Sequence, residues 1–157
     1  IDRLPRLISA QAEGCCPINR AIAENRPWEP MEENTLADSI AVGVPRNADK
    51  ALMAIRESNG LVVNVSDAEI MAAQKLLGRT CGVFGEPAGV TGTAGVKKLC
   101  EQGVLPKDAT VVSVVTGNGL KDVANAIKAC GEPISIPSDM DLLLRAFDER
   151  GINADVK

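Results

Sequence analysis

The sequence predicts an α/β fold, a parallel sheet covered by helices on both faces in a three-layer sandwich. Two stretches carry this reading. Residues 110–116, Thr-Val-Val-Ser-Val-Val-Thr, form a nearly unbroken β-branched run. The turn cluster Gly117-Asn118-Gly119 closes it, and a helical pattern follows over 123–129. Strands buried on both faces of a parallel sheet read as continuous apolar runs of this kind. The second stretch is Leu61 to Val65, a clear strand that leads directly into Ser66-Asp67-Ala68-Glu69. That S-x-x-E pattern is a capping box opening a helix over 67–77. Strand, cap and helix in this order are the βα grammar of a parallel sheet.

The remaining elements follow in chain order. Residues 6–12 read as a short strand. Pro5 fits its start, where a missing N–H is tolerated, and Glu13-Gly14 closes it. Residues 17–24 read as a helix with Pro17 in its first turn. Two prolines bracket Trp28, so 26–30 is a loop, and its indole is expected to plug that loop rather than to serve a ligand. One helical turn is expected over 35–40, followed by a short apolar segment, 40–43, before Pro45. Asn47 is placed to cap a helix through Ser58, with Ala48, Leu52 and Ile55 on one face. Asn59-Gly60 supplies its left-handed stop. In the 67–77 helix the apolar positions are Ile70, Met71, Leu76 and Leu77, and Gly78 is expected to end it.

A helix from Pro87 to Gln102 carries Gly89, Gly92 and Gly95 at every third position. Glycine costs about 1 kcal/mol in a helix interior. Three of them imply close approach to the sheet, with a ligand near the helix start. The spacing is not G-x-G-x-x-G and no strand leads tightly into it, so a dinucleotide site is not expected. Residues 103–107 form a turn into the 110–116 strand. Gly131 and Pro133 punctuate, 134–136 read as a last short strand, and Ser138-Asp139-Met140-Asp141 caps a final helix through Arg150. Leu142, Leu143, Ala146 and Phe147 are its expected buried set. Gly151 ends that helix, and 152–157 read as a tail.

Composition narrows the function. A chain of 157 residues suits one domain. A net charge of −4, one Trp, two Phe and no Tyr argue against nucleic acid, which needs a basic face and stacking platforms. No apolar window of about 18 residues is present, so no membrane span is expected. The chain opens with neither Met nor a signal peptide, and a processed or truncated polypeptide is the expectation. Cys15, Cys16, Cys81, Cys100 and Cys130 show no C-x-x-C spacing and are expected to be buried, reduced thiols of a cytoplasmic protein. The sequence has no His. Histidine triads, histidine bases and histidine metal ligands are therefore excluded, and no metal site is expected.

Thr116 stands out on position alone. Ligands of open α/β sheets bind outside the carboxyl ends of the strands, and Thr116 ends the 110–116 run. A turn-capping hydroxyl is the alternative role.

Four motifs add a family resemblance that runs almost end to end. Leu4-Pro5-Arg6 through Gln11-Ala12-Glu13-Gly14 resembles a strand and turn of the threonine synthase large domain. Thr35-Leu36-Ala37 with Ala41-Val42-Gly43-Val44-Pro45 resembles that family's alanine-rich turn and G-x-P segment. Gly82-Val83-Phe84-Gly85-Glu86-Pro87-Ala88-Gly89 resembles the E-P-S/A-x-A element of fold type II pyridoxal-phosphate enzymes, shared with threonine dehydratases and serine racemases. Thr116-Gly117-Asn118-Gly119-Leu120-Lys121-Asp122 resembles threonine synthases specifically.

The resemblance implies part of the large domain of a fold type II enzyme, namely the C-terminal portion of a threonine synthase over residues 1–157. It implies pyridoxal 5'-phosphate as cofactor. Thr116 would hydrogen-bond the cofactor's pyridine nitrogen, and Glu86 would lie near its ring, although a helix N-terminal acid favoured by the dipole also explains Glu86. It implies no catalytic residue in this stretch. The family's Schiff-base lysine lies in a Phe-Lys-Asp-type motif of its N-terminal half, and its phosphate-cradling loop precedes the region matching Ile1. Lys121 is therefore expected to be a surface charge or structural partner. The implied reaction converts O-phospho-L-homoserine and water to L-threonine and phosphate, with a small-molecule substrate, in a cytoplasmic homo-oligomer. A part of a domain should also expose a sheet edge or apolar patch. Two alternatives stand beside this reading: a threonine dehydratase-like lyase, and a non-enzymatic stand-alone α/β binding domain.

Overall fold

The computed structural model describes residues 2, 4–131, 133 and 135–152. Among them the chain forms β1 (Ile8–Ala12), α1 (Pro17–Ala23), α2 (Ala48–Glu57), β2 (Leu61–Val65), α3 (Asp67–Cys81), α4 (Pro87–Glu101), α5 (Val123–Cys130) and α6 (Met140–Asp148), with 3-10 turns at Asp38–Ile40 and Gly119–Lys121. β1 and β2 pair in parallel, with Ile8 opposite Leu61 and Ala12 opposite Val65.

Side chains alternate across a strand, and the alternation here separates two chemistries. Ile8, Ala10, Ala12, Leu61, Val63 and Val65 join one apolar cluster with Ile70 and Ala73 of α3 and Val90, Ala94 and Leu99 of α4. On the opposite face Gln11 and Asn64, partners in register, meet Asn19 of α1. Its amide Nδ2 donates to Asn64 Oδ1 at 2.8 Å and to the Val63 carbonyl at 3.0 Å, and its backbone N–H donates to Gln11 Oε1 at 2.9 Å. The three-layer order of helix, sheet and helix is thus present. α4 lies close to the sheet because Gly95 has no side chain: a β-carbon there would stand 2.8 Å from Val63 and 2.9 Å from Ala10. Gly89 and Gly92 give the same closeness to residues 113–117, so the glycine stripe is a packing surface along its whole length.

The 110–116 segment differs from expectation. Among the described residues it joins no ladder, and Val112 and Val114 are 85% and 72% exposed. Its sequence is written for a strand with neighbours, and among the described residues no strand pairs with it; an open groove of about 820 Å³ lies between it and β1. Leu4, Leu7 and Ile8 line one wall, and Val111, Val112 and Val114 the other. This is the expected apolar patch.

Smaller corrections have local causes. α3 runs through Gly78 to Cys81 and stops at Gly82, whose φ of 67° is left-handed. Leu76, at 41% exposure, faces away from the core. Asn47 occupies the cap position of α2 without a side-chain cap bond, whereas Asn59 takes the left-handed φ of 50° that ends it. Trp28 is half-buried, and its Nε1 donates to Asp49 at 3.2 Å. In α6 only Ala146 is buried. Leu143 and Phe147 are half-buried and Leu142 is exposed, and among the described residues no element packs extensively on α6. Cys15 and Cys16 are buried, and Cys81, Cys100 and Cys130 are exposed. Burial pushes both buried thiols above the ordinary range. The strand expected over 134–136 is not found at Ser135 and Ile136, which are irregular, and Ile134 lies outside the described residues, as do Ile1 and residues 153–157 of the expected tail.

Candidate functional site

The site forms where two loops meet at the start of α4. The first, residues 84–86, leaves α3 and delivers Glu86 to the helix N-terminus. The second, residues 116–119, ends the 110–116 segment. They are zipped together: the Glu86 N–H donates to the Gly117 carbonyl at 2.9 Å, the Gly119 N–H donates to the Phe84 carbonyl at 2.9 Å, and Gly85 and Asn118 form an antiparallel bridge. Gln74 of α3, fully buried, fixes the first loop by donating from Nε2 to the Gly85 carbonyl at 2.8 Å.

Glycines make this approach possible. A β-carbon on Gly89 would stand 2.9 Å from the Gly117 nitrogen and 3.3 Å from the Thr116 nitrogen. One on Gly119 would stand 2.5 Å from the Phe84 ring, and one on Gly117 would overlap the Glu86 carboxylate.

Both sequence-predicted residues therefore belong to one locus. Thr116 is exposed. Its backbone lies against the first turn of α4. Glu86 is 6% exposed. It stands at the N-cap position of α4, where the helix dipole favours an acid, and makes no side-chain cap bond. Its Oε1 instead meets Lys121 Nζ at 3.3 Å. Lys121 also donates to Ser39 Oγ at 3.2 Å. A polar cavity of about 260 Å³ opens beside these groups, lined by Asp38, Ser39, Glu86, Pro87, Lys121 and Asp122.

Lys121 is thus a structural partner and not a spare amine. Sequence reading missed Ser39 and Gln74. Gln74 carried a signal, since it lies four residues after Ile70 on the buried face of α3, where a polar side chain needs a partner. Among the described residues no group of three or more Cys, Asp or Glu side chains is arranged to hold a metal ion, and no helix is long and apolar enough to cross a membrane.

An α/β frame with a parallel sheet, in which glycine-lined loops bring the segments of Thr116 and Glu86 together at the start of α4, is a fold of the type II pyridoxal-phosphate class. The model of the pyridoxal-phosphate dependent enzyme family matches residues 1–117, and the chain belongs to that family. The cofactor that membership implies is pyridoxal phosphate. Among solved structures, maize serine racemase aligns with a TM-score of 0.61 at 18% identity, over 92% of this chain and 40% of that one. A threonine deaminase from T.th. aligns with a TM-score of 0.54 at 16% identity, over 85% and 52%. At these identities the likeness is one of fold.

Sequence relatives are nearer. The threonine synthase of Methanosarcina acetivorans is 46% identical over 148 residues, 93% of this chain and 36% of the relative. That of Methanocaldococcus jannaschii is 44% identical over 153 residues, 95% and 37%. The resemblance read from the four motifs holds, and the chain spans little more than a third of the length of these relatives.

Proposed function

We propose that this chain is the C-terminal part of a pyridoxal-phosphate-dependent threonine synthase and supplies the pyridine side of the cofactor site. Thr116 is the residue that meets the ring nitrogen, and Glu86 lies beside the ring. The observation that carries the reading is the exposed Thr116 at the start of one of two interlocked loops, whose next residue, Gly117, lies against the buried Glu86 carboxylate. This donor set fits the group. A hydroxyl can donate to an unprotonated ring nitrogen, and the glycines at 89 and 117 let the two loops close on each other and on the Glu86 carboxylate. When bound, the cofactor withdraws negative charge from the substrate carbons. This chain orients the ring and sets the protonation of its nitrogen. The reaction of the whole enzyme is conversion of O-phospho-L-homoserine and water to L-threonine and phosphate, in a cytoplasmic homo-oligomer. The amine that bonds the cofactor and the loop that cradles its phosphate belong to the remaining polypeptide, so the isolated chain is inactive.

The groove beside β1 supports this division. It is open and is lined by apolar side chains of two extended segments, Leu7 and Ile8 on one and Val112 and Val114 on the other, a surface for further polypeptide to cover.

The test is made on the full-length protein. Thr116→Val is expected to lower threonine formation and to shift the absorbance of the bound cofactor, with Thr116→Ser retaining both. Unchanged absorbance and rate in Thr116→Val would overturn the assignment, as would a cofactor adduct trapped by borohydride on a lysine of this chain. Turnover of threonine with none of O-phospho-L-homoserine would favour the dehydratase reading instead.

A further inference from the structure

Lys121 has no part in the chemistry proposed above, yet it is built into the site. The 3-10 turn Gly119–Lys121 presents it, and that turn is held by Asn118, whose side chain accepts from the Leu120 N–H at 2.9 Å. Its ammonium reaches back to two other segments, Ser39 Oγ at 3.2 Å and Glu86 Oε1 at 3.3 Å. Glu86 is buried at the spot where its carboxylate covers Gly117. Among the described residues Lys121 is its one side-chain partner. A buried carboxylate without a counter-charge or hydrogen bonds is strongly disfavoured. The helix start does not supply such a bond, since Glu86 makes no cap contact.

We infer that Lys121 is a positioning residue. Its ammonium clasps Glu86 to Ser39, presses the carboxylate over Gly117, and so fixes the Thr116-Gly117 turn in the geometry that meets a ligand. The clasp joins three segments that backbone bonds alone join only in part: the Asp38–Ile40 turn, the 84–86 loop and the 116–119 loop. It acts through Glu86, without touching the reacting atoms. Its consequence for the cofactor rests on the function proposed above, whereas the clasp itself does not.

The side chain of Lys121 is 62% exposed, so its substitution leaves the core intact. In the full-length protein, Lys121→Met is expected to speed hydrogen exchange of the Glu86 and Gly119 amides, which bridge the two loops, by on the order of tenfold. Lys121→Arg restores exchange to within about twofold, because guanidinium keeps the charge and reach. On a Glu86→Gln background Lys121→Met adds less than about twofold, since the pair is already broken. Ser39→Ala gives a smaller increase than Lys121→Met. The absorbance of bound cofactor shifts in Lys121→Met and returns in Lys121→Arg. Equal exchange in Lys121→Met and the parent protein would overturn the inference, and so would an increase of the same size on the Glu86→Gln background. If no variant, nor the parent, binds pyridoxal phosphate, the proposed function fails while the exchange measurements still decide the clasp.

Discussion

The carboxylate of Glu86 occupies the place where a side chain on Gly117 would begin. Two residues 31 positions apart in sequence thus share one van der Waals site, and each constrains what the other can be. Gly117→Ala is expected to destabilise the protein by about 1–3 kcal/mol, the usual cost of overpacking. Its backbone φ lies outside the left-handed range, so the cost is the collision alone. Adding Glu86→Ala should recover most of it. Urea unfolding of the single and double variants measures this, and a double variant no better than Gly117→Ala would contradict the shared site.

Gly78 and Gly82 make opposite predictions four residues apart. Gly78 is helical, and a β-carbon there would meet nothing within 4 Å. Gly78→Ala should therefore stabilise by up to about 1 kcal/mol. Gly82 holds φ at 67°, and Gly82→Ala should destabilise by a similar amount. Thermal melts of the two variants should move in opposite directions.

Ile70 is fully buried in the α3–α4–sheet cluster. Ile70→Ala is expected to cost about 2–5 kcal/mol, the range for truncating a buried aliphatic side chain. A midpoint shift corresponding to less than about 1 kcal/mol would show that α3 packs more loosely than described.

The Ser66 cap of α3 carries a pH dependence. Ser66 Oγ accepts from the Glu69 N–H at 3.2 Å, and Glu69 Oε2 accepts from the Ser66 N–H at 2.7 Å and from Lys98 Nζ at 3.0 Å. Burial alone would raise the Glu69 carboxyl, but the Ser66 N–H and Lys98 outweigh it and hold it below the ordinary range. A carboxyl lowered in the folded state contributes stability that is present above the unfolded value, about 4.3, and lost as pH falls through the folded one. Glu69→Gln should flatten the melting temperature below about pH 4.3 and leave less stability above it. The effect is modest, because the side chain is 38% exposed and screened by solvent. Ser66→Ala should cost about 0.5–2 kcal/mol near neutral pH.

Val112 and Val114 test the groove. Both are largely exposed in this chain, so Val112→Asp with Val114→Asp should leave the melt of the isolated chain within about 0.5 kcal/mol. The same pair in the full-length protein should be strongly destabilising. Equal tolerance in both would mean that nothing docks there.

What could be read in the sequence was governed by how local the cause was. The Ser66-x-x-Glu69 cap, the β2 strand and the Pro87 helix start are set within a few residues and were legible to within one or two positions. The two loops that carry Thr116 and Glu86 were legible as motifs because each is compact, and the structure joins them. The ladder of 110–116 was not, since a strand exists only with a neighbour and β-branched residues specify the preference without the partner. The same limit applies to α6, whose apolar face was visible but whose cover was not. Ser39 and Lys121, 82 positions apart, meet only through the tertiary fold.

Asn19 has a consequence beyond its own bonds. Its amide is shared among the Ser9 carbonyl, the Val63 carbonyl and Asn64, so it reads both strands at a single level. A slide of either strand by one residue would exchange its inward and outward side chains and leave the asparagine in an apolar neighbourhood. One polar side chain on the first helix therefore acts as an alignment key. Its amide N–H groups are satisfied by a single pairing of the two strands.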